Sequence, residues 1–124
     1  MIHLSEDAKN SAFLTGVKLS EEQSVKLEAE LEAAPETQEA RLTLLAYYFS
    51  RIGKAEINTV RRRHIEWFIH NEPNDDVAGG PLASIHAALD PDGYKLLKDE
   101  WLKQIELYPH ESQVLVFYSK KIPS

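Results

Sequence analysis

Histidine and glutamate side chains that could ligate a metal ion cluster in one segment, at His64, Glu66, His70 and Glu72. Side chains four residues apart share a helix face, so Glu66 and His70 could reach one ion. His64 and His70 are six residues apart and diverge, and no His-Glu-x-x-His pattern occurs. Two ligands do not make a zinc site, so the sequence predicts neither a metal nor another cofactor.

Catalytic signatures are missing from the sequence. It contains no Gly-x-Ser-x-Gly elbow, no glycine-rich phosphate loop and no cysteine. Among the close carboxylate pairs, Asp90 precedes Pro91 as a helix N-cap, and Asp75-Asp76 suits a polar turn. The glycines of residues 78–81 could offer N–H groups to an anion, although a flexible loop is the favoured interpretation. We therefore expect a protein that is not an enzyme.

The densest basic cluster is Arg61-Arg62-Arg63. Consecutive helical residues point about 100° apart, so the three side chains cannot form one flat patch. A solvated face paired with Glu66 is the favoured interpretation. The alternative is a site for an acidic peptide or a phosphate, which makes Arg62 a candidate partner-binding residue.

The net charge of −6 on 124 residues is concentrated in the first third of the chain. Residues 1–40 carry nine acids and three lysines, whereas residues 41–124 carry eleven of each sign. An acidic chain repels phosphate backbones, so we expect no nucleic-acid partner. No apolar run is long enough to span a bilayer, and the first twenty residues lack the features of a secretory signal. We therefore expect a cytoplasmic protein without a membrane partner.

The segments of the chain that carry these residues are predicted to be helices joined by short loops. Residues 111–120 include VLVFY, which alone could form a strand, but no partner strand is evident. The helix over residues 36–51 has apolar stripes on two sides, which is typical of a helix between two neighbours. Gly53 is its predicted stop. The predicted helices cover residues 5–14, 20–34, 36–51, 55–71, 81–88, 91–108 and 111–120.

An internal repeat is the most informative pattern. Three predicted helices end at Pro35, Pro73 and Pro109, with spacings of 38 and 36 residues. Apolar residues precede each proline by four positions (Leu31, Ile69 and Ile105) and by eight (Leu27, Ile65 and Trp101). Two helices in each 36–38 residues indicate a helical solenoid, in which neighbouring pairs share a core. The alternative is a plain helical bundle whose prolines are evenly spaced.

The segments EAAPETQEARLTLLAYYF, RRRHIEWFI and DPDGYKLLKDEWLKQIELYP resemble a divergent, mostly bacterial group of tetratricopeptide-like repeats. The resemblance covers roughly residues 28–120. It departs from the usual period of about 34 and lacks the full Trp-Leu-Gly-Tyr and Ala-Phe signature. It implies an all-α fold, a short right-handed α-solenoid of helix-turn-helix repeats over residues 20–124, preceded by a helical extension over residues 1–19.

The repeat interpretation predicts a non-enzymatic protein-interaction or scaffold module that binds a peptide or helix. In such stacks the first helix of each pair lines a groove, where aromatic and arginine side chains anchor peptides. We therefore expect an exposed surface of Arg41, Tyr47, Tyr48 and Arg51, although both tyrosines could instead pack on the adjacent repeat. The alternative function is a self-assembling domain, or one domain of a larger regulatory protein. The C-terminal KKIPS lacks a polar capping helix, which favours a homo-oligomer or a longer chain.

Overall fold

The computed structural model describes residues 4–52 and 54–122, with the side chain of Ser112 left out. The fold is all-α, as predicted, and no strand occurs in these residues, so VLVFY lies in a helix. The predicted stop at Gly53 lies outside the described residues. The helices are α1 (Glu6–Val17), α2 (Glu21–Ala33), α3 (Gln38–Phe49), α4 (Ala55–Asn71), α5 (Asp76–Gly79), α6 (Pro91–Leu107) and α7 (Ser112–Lys121), with a 3-10 turn at Pro81–Ala83.

Helix starts follow the capping residues in the sequence. Ser20 accepts a hydrogen bond from the Gln23 N–H, and the Gln23 side chain accepts one from the Ser20 N–H, which completes a capping box. Ser5 caps α1 by accepting from the Ala8 N–H, and Asp90 caps α6 by accepting from the Gly93 N–H. Each cap satisfies a backbone donor that has no partner within its own helix.

The predicted helix over residues 81–88 is wrong. That segment forms only the 3-10 turn and then non-helical backbone as far as Asp90. The carbonyls that such a helix would use internally have other partners. Arg61 donates to the carbonyls of Leu82 and Ser84, and Lys121 donates to the carbonyl of Gly80.

The three prolines of the internal repeat occupy equivalent turns. The residue before each, Ala34, Glu72 or Tyr108, has φ of −138°, −138° or −131° and ψ of 70°, 57° or 63°. Proline disfavours the α region for the residue before it, which ends the helix there. Three positions on, the N–H of Thr37, Asp75 or Glu111 donates to that residue's carbonyl at 3.1 Å. Each proline is thus the second residue of a β-turn, and the next helix starts directly after it.

The described residues fall into two compact units that divide between Arg51 and Ile52. In the first unit, α3 packs against both α1 and α2, and residues 41–48 are all buried. The prediction that this helix lies between neighbours is therefore confirmed. Gly16 allows α1 to approach α3 closely, because a Cβ at this position would lie 2.3 Å from the carbonyl oxygen of Thr43 on α3. Helix α1 therefore shares the core of the first unit with α3.

In the second unit, α4 packs against α6 and α5, and α7 packs against α6 and α5. Asn58 contacts Leu89 and Arg62 contacts Asp90 at the start of α6, while Glu66 faces the later part of α6. The helices α4 and α6 therefore run in the same direction. Trp101, fully buried, meets the ring of Phe117 edge-on at 6.0 Å in the core of this unit. Within the described segments, no helix is both long enough and apolar enough to cross a membrane.

Candidate functional site

The predicted binding residues Arg41 and Tyr48 lie inside the first unit rather than on its surface. Arg41 is 7% exposed and Tyr48 is 5% exposed. Arg41 donates to the carbonyl of Pro35 at 2.7 Å, and burial lowers its pKa while Glu28 opposes that shift. The hydroxyl of Tyr48 donates to the carboxylate of Glu28 on α2. Both side chains therefore hold α3 to α2 and to the turn between them.

Tyr47 and Arg51 form a stacked pair at the end of α3. The guanidinium carbon of Arg51 lies 3.9 Å from the centroid of the Tyr47 ring, and its NH1 donates to the Tyr47 carbonyl at 2.7 Å. Tyr47 is buried, whereas Arg51 is half-buried. The expectation of an exposed surface is therefore wrong for Arg41, Tyr47 and Tyr48, because neighbouring backbone, carboxylate and cation groups satisfy these side chains internally.

The three consecutive arginines of α4 point in different directions, as predicted. Arg61 is buried, Arg62 is half-buried and Arg63 is exposed. Arg62 makes two hydrogen bonds to the Asp90 carboxylate, one of them from Nε to Oδ2 at 2.8 Å. These bonds hold the pKa of Asp90 below its usual value. Arg62 thus fastens α4 to the start of α6, and its partner is Asp90 rather than the expected Glu66.

An open groove of about 410 Å³ lies between α4 and α6. Its α4 side is formed by positions spaced three and four apart, which share one helix face. Both signs of charge and one indole ring line it. The lining residues are Arg63, Glu66, Trp67, His70 and Asn71 from α4, and Glu100 and Lys103 from α6.

Trp67 is fixed within this groove by its own helix. It is half-buried, and its ring meets that of Phe68 edge-on at 5.2 Å, which ties it to the core. Asn71 donates to the carbonyl of Trp67 at 2.9 Å. Opposite, Lys103 and Glu100 form an ion pair at 3.1 Å, which raises the pKa of Lys103. The groove therefore offers a held aromatic surface beside polar groups, an arrangement suited to binding.

From the basic cluster, Arg62 was the predicted binding residue. The residue that lines the groove is its neighbour Arg63. The spacing of Arg63, Trp67 and Asn71, each four residues apart, was the signal that could have found this face.

A second groove of about 380 Å³ lies in the first unit, among α1, α2 and α3 and the segments that join them. It has no aromatic side chain, and its charged residues are Lys26, Glu30 and Glu39. Its remaining lining residues are Thr15, Leu19, Gln23, Leu27, Thr37, Ala40 and Thr43. Without a large anchoring side chain, this groove is a weaker candidate than the one that contains Trp67.

In the part of the chain that the structure describes, no three histidine, aspartate or glutamate side chains are placed to hold a metal ion. Comparison with protein-family models, with curated proteins and with solved structures gave no match. The grooves and their side chains are therefore the observations on which a functional proposal rests.

Proposed function

We propose that this protein is a non-enzymatic interaction module whose α4–α6 groove binds a peptide or helix of a partner protein. One observation carries the proposal: Trp67 is half-buried on the groove surface, beside the exposed Arg63. Tryptophan and arginine are the side chains that most often dominate binding energy at protein interfaces. A rigid indole also loses little conformational entropy when a partner covers it.

The charges around Trp67 favour a polypeptide over a single charged ligand. Glu66 and Glu100 are acidic, while Arg63 and Lys103 are basic, so the groove has no dominant sign. An isolated phosphate or metal ion would meet groups of its own charge there. A peptide that carries both signs around one apolar side chain can match each group in turn.

We also propose that the chain is a short helical repeat of the tetratricopeptide-like type. Two observations support this. The Pro35, Pro73 and Pro109 turns share one backbone geometry and one hydrogen bond. In the second unit, helices two apart in sequence pack together, α4 with α6 and α5 with α7, as stacked helix pairs require.

The test uses immobilised protein and a lysate to isolate a partner, followed by binding measurements with the purified partner. Trp67→Ala and Arg63→Ala should each weaken binding by about tenfold or more, which corresponds to about 1.4 kcal/mol. Arg63 is exposed, so its variant should keep the melting temperature of the wild type. Leu107→Ala is the matched control, because Leu107 is 63% exposed and lies outside the groove. Equal binding by all three variants would contradict the proposal.

Self-assembly is the second candidate, and α7 favours it. Leu115 and Val116 are adjacent on this helix and 44% and 42% exposed. Another copy could cover this face in the way that stacked repeats cover one another. Sedimentation velocity over a range of concentrations tests this. A mass that rises with concentration, and no longer does so in Leu115→Asn, would favour assembly.

A further inference from the structure

Helix α1 places its small residues inward and its large apolar residues outward. Ala12 is 2% exposed and Gly16 is also buried. Both lie on the side of α1 that packs closely against α3. Phe13, Leu14 and Val17 are 40%, 58% and 45% exposed. An amphipathic helix on an isolated domain ordinarily buries its large apolar side chains. The outward face of α1 is therefore suited to contact with a binding partner.

Helical spacing groups these side chains into one strip. Positions 6, 10, 13, 14 and 17 recur at three and four residues, so Glu6 and Asn10 continue the face of Phe13, Leu14 and Val17 toward the N-terminus. Here this set is called the outer face of α1. It is apolar over its second half and acidic at its first turn. Single exposed apolar residues are ordinary, but three that adjoin on one face form a patch.

The net charge of the first unit indicates the chemistry of its partner. Of the nine acids in residues 4–40, all except Glu28 are exposed. Only three lysines oppose them, and Lys9 already lies 3.8 Å from Glu6. The unit that carries the apolar patch therefore has an excess of exposed acids. Such an excess attracts cationic partners and repels anionic ones.

We propose that the outer face of α1 binds a basic amphipathic helix, with the apolar stripe of that helix on Phe13, Leu14 and Val17. Lysine or arginine residues beside the stripe would meet the exposed acids of the first unit. A second copy of this chain would bring two units with an excess of acids together. An anionic lipid surface would likewise face like charge. A cationic helix is the occupant that matches both the apolar patch and the excess of acids in the first unit.

The probe is a fluorescently labelled synthetic helix of about 18 residues, with leucines at i, i+3, i+4 and i+7 and lysines elsewhere. A scrambled peptide of the same composition separates amphipathic recognition from simple charge attraction. Anisotropy titration of the full chain should show binding of the amphipathic peptide. Affinity for the scrambled peptide should be lower by about tenfold, because its leucines cannot form one stripe.

Leu14→Asn combined with Val17→Thr should weaken binding by about tenfold or more. Both residues are exposed, so circular dichroism should show unchanged helix content. Val25→Asn is the matched control, because Val25 is 66% exposed on α2 and lies off this face. Glu6→Gln with Asp7→Asn should weaken binding by a smaller factor and reduce its salt dependence.

The proposal is overturned if the Leu14/Val17 variant binds as tightly as wild type, or if the scrambled peptide binds equally well. Two further results would assign the face to another occupant. One is a dimer in sedimentation velocity that the same double substitution abolishes. The other is cosedimentation with vesicles of equal parts phosphatidylcholine and phosphatidylserine, lost in that variant.

Discussion

Lys121, the last residue of α7, is buried and contacts the loop that follows α5. Its ammonium group donates to the carbonyl of Gly80 and to the hydroxyl of Ser84, the latter at 2.8 Å. Burial, and secondarily the positive charge of Arg61, lower the pKa of Lys121 to about 7. A neutral amine keeps two hydrogens, enough for both contacts. Loss of the proton therefore preserves the hydrogen bonds and removes the penalty of a buried charge.

The sign of the pH dependence follows from proton counting. The ordinary pKa of 10.5 applies to Lys121 in the unfolded chain, and the folded value is about 7. Between these values the unfolded state binds more protons, so the free energy of unfolding rises with pH, by about 1.4 kcal/mol per unit at most. Between pH 7 and about 9.5 the gain from this group is about 3 kcal/mol. Below about pH 6 both states are protonated and its contribution is constant.

Urea unfolding at several pH values between 7 and 9.5 measures this gain. Both tryptophans, Trp67 and Trp101, lie in the second unit, so their fluorescence reports the unfolding of the unit that contains Lys121. In Lys121→Met the rise with pH should be smaller than in wild type by about 3 kcal/mol. Lys120→Met is the matched control, because Lys120 is exposed on the same helix. Equal pH dependence in wild type and Lys121→Met would refute the reasoning.

Three further substitutions have expected effects on stability. Gly16→Ala forces a methyl group against the backbone of α3 and should lower the free energy of unfolding by about 1–3 kcal/mol, measured by circular dichroism during urea unfolding. Tyr48→Ala empties a buried site and should cost about 3–5 kcal/mol in the same assay, whereas an exposed residue would cost little. Asp90→Asn removes the charge that pairs with Arg62 and should cost about 1–3 kcal/mol near neutral pH, followed by tryptophan fluorescence. Because the folded-state pKa of Asp90 is lowered, its stabilisation is present above about pH 4 and declines as pH falls, so the difference between Asp90→Asn and wild type should shrink in acid.

The features that sequence predicted well are local ones. The cap at Asp90 and the helix ends at the three prolines each depend on residues within four positions of one another. Such interactions need no contact with distant parts of the chain. The two-sided apolar pattern of α3 also predicted its position between α1 and α2.

Features that depend on distant residues were not predictable in the same way. The pattern of residues 81–88 suits a helix, but Arg61 and Lys121 reach this loop from about 20 and 40 positions away and bind its carbonyls. Two apolar stripes on α3 also do not reveal whether the second stripe is exposed. Arg41 and Tyr48 look accessible by composition, yet Pro35 and Glu28 provide the acceptors that allow their burial.

The candidate grooves show a different limit of sequence reasoning. Neighbouring residues on a helix point about 100° apart, so adjacent arginines can have different roles. Arg62, which was predicted to bind a partner, forms a structural ion pair with Asp90, whereas Arg63 lines the groove. Helix α1 was predicted over residues 5–14 as part of an N-terminal extension, and it runs to Val17. Its packing depends on Ala12 and Gly16, whose small size carries little periodic signal.

The helix that follows the Pro73 turn accounts for the buried cations and for the predicted pH dependence. The turns at Pro35 and Pro109 lead into helices of 12 and 10 residues, whereas the turn at Pro73 leads into α5, of 4 residues. A longer helix there would satisfy its own carbonyls. Because it stops at Gly79, the carbonyls of the following loop need donors from elsewhere, and Arg61 and Lys121 provide them. The burial of Arg61 and Lys121, and the rise in stability with pH expected from Lys121, are thus consequences of the shortness of α5.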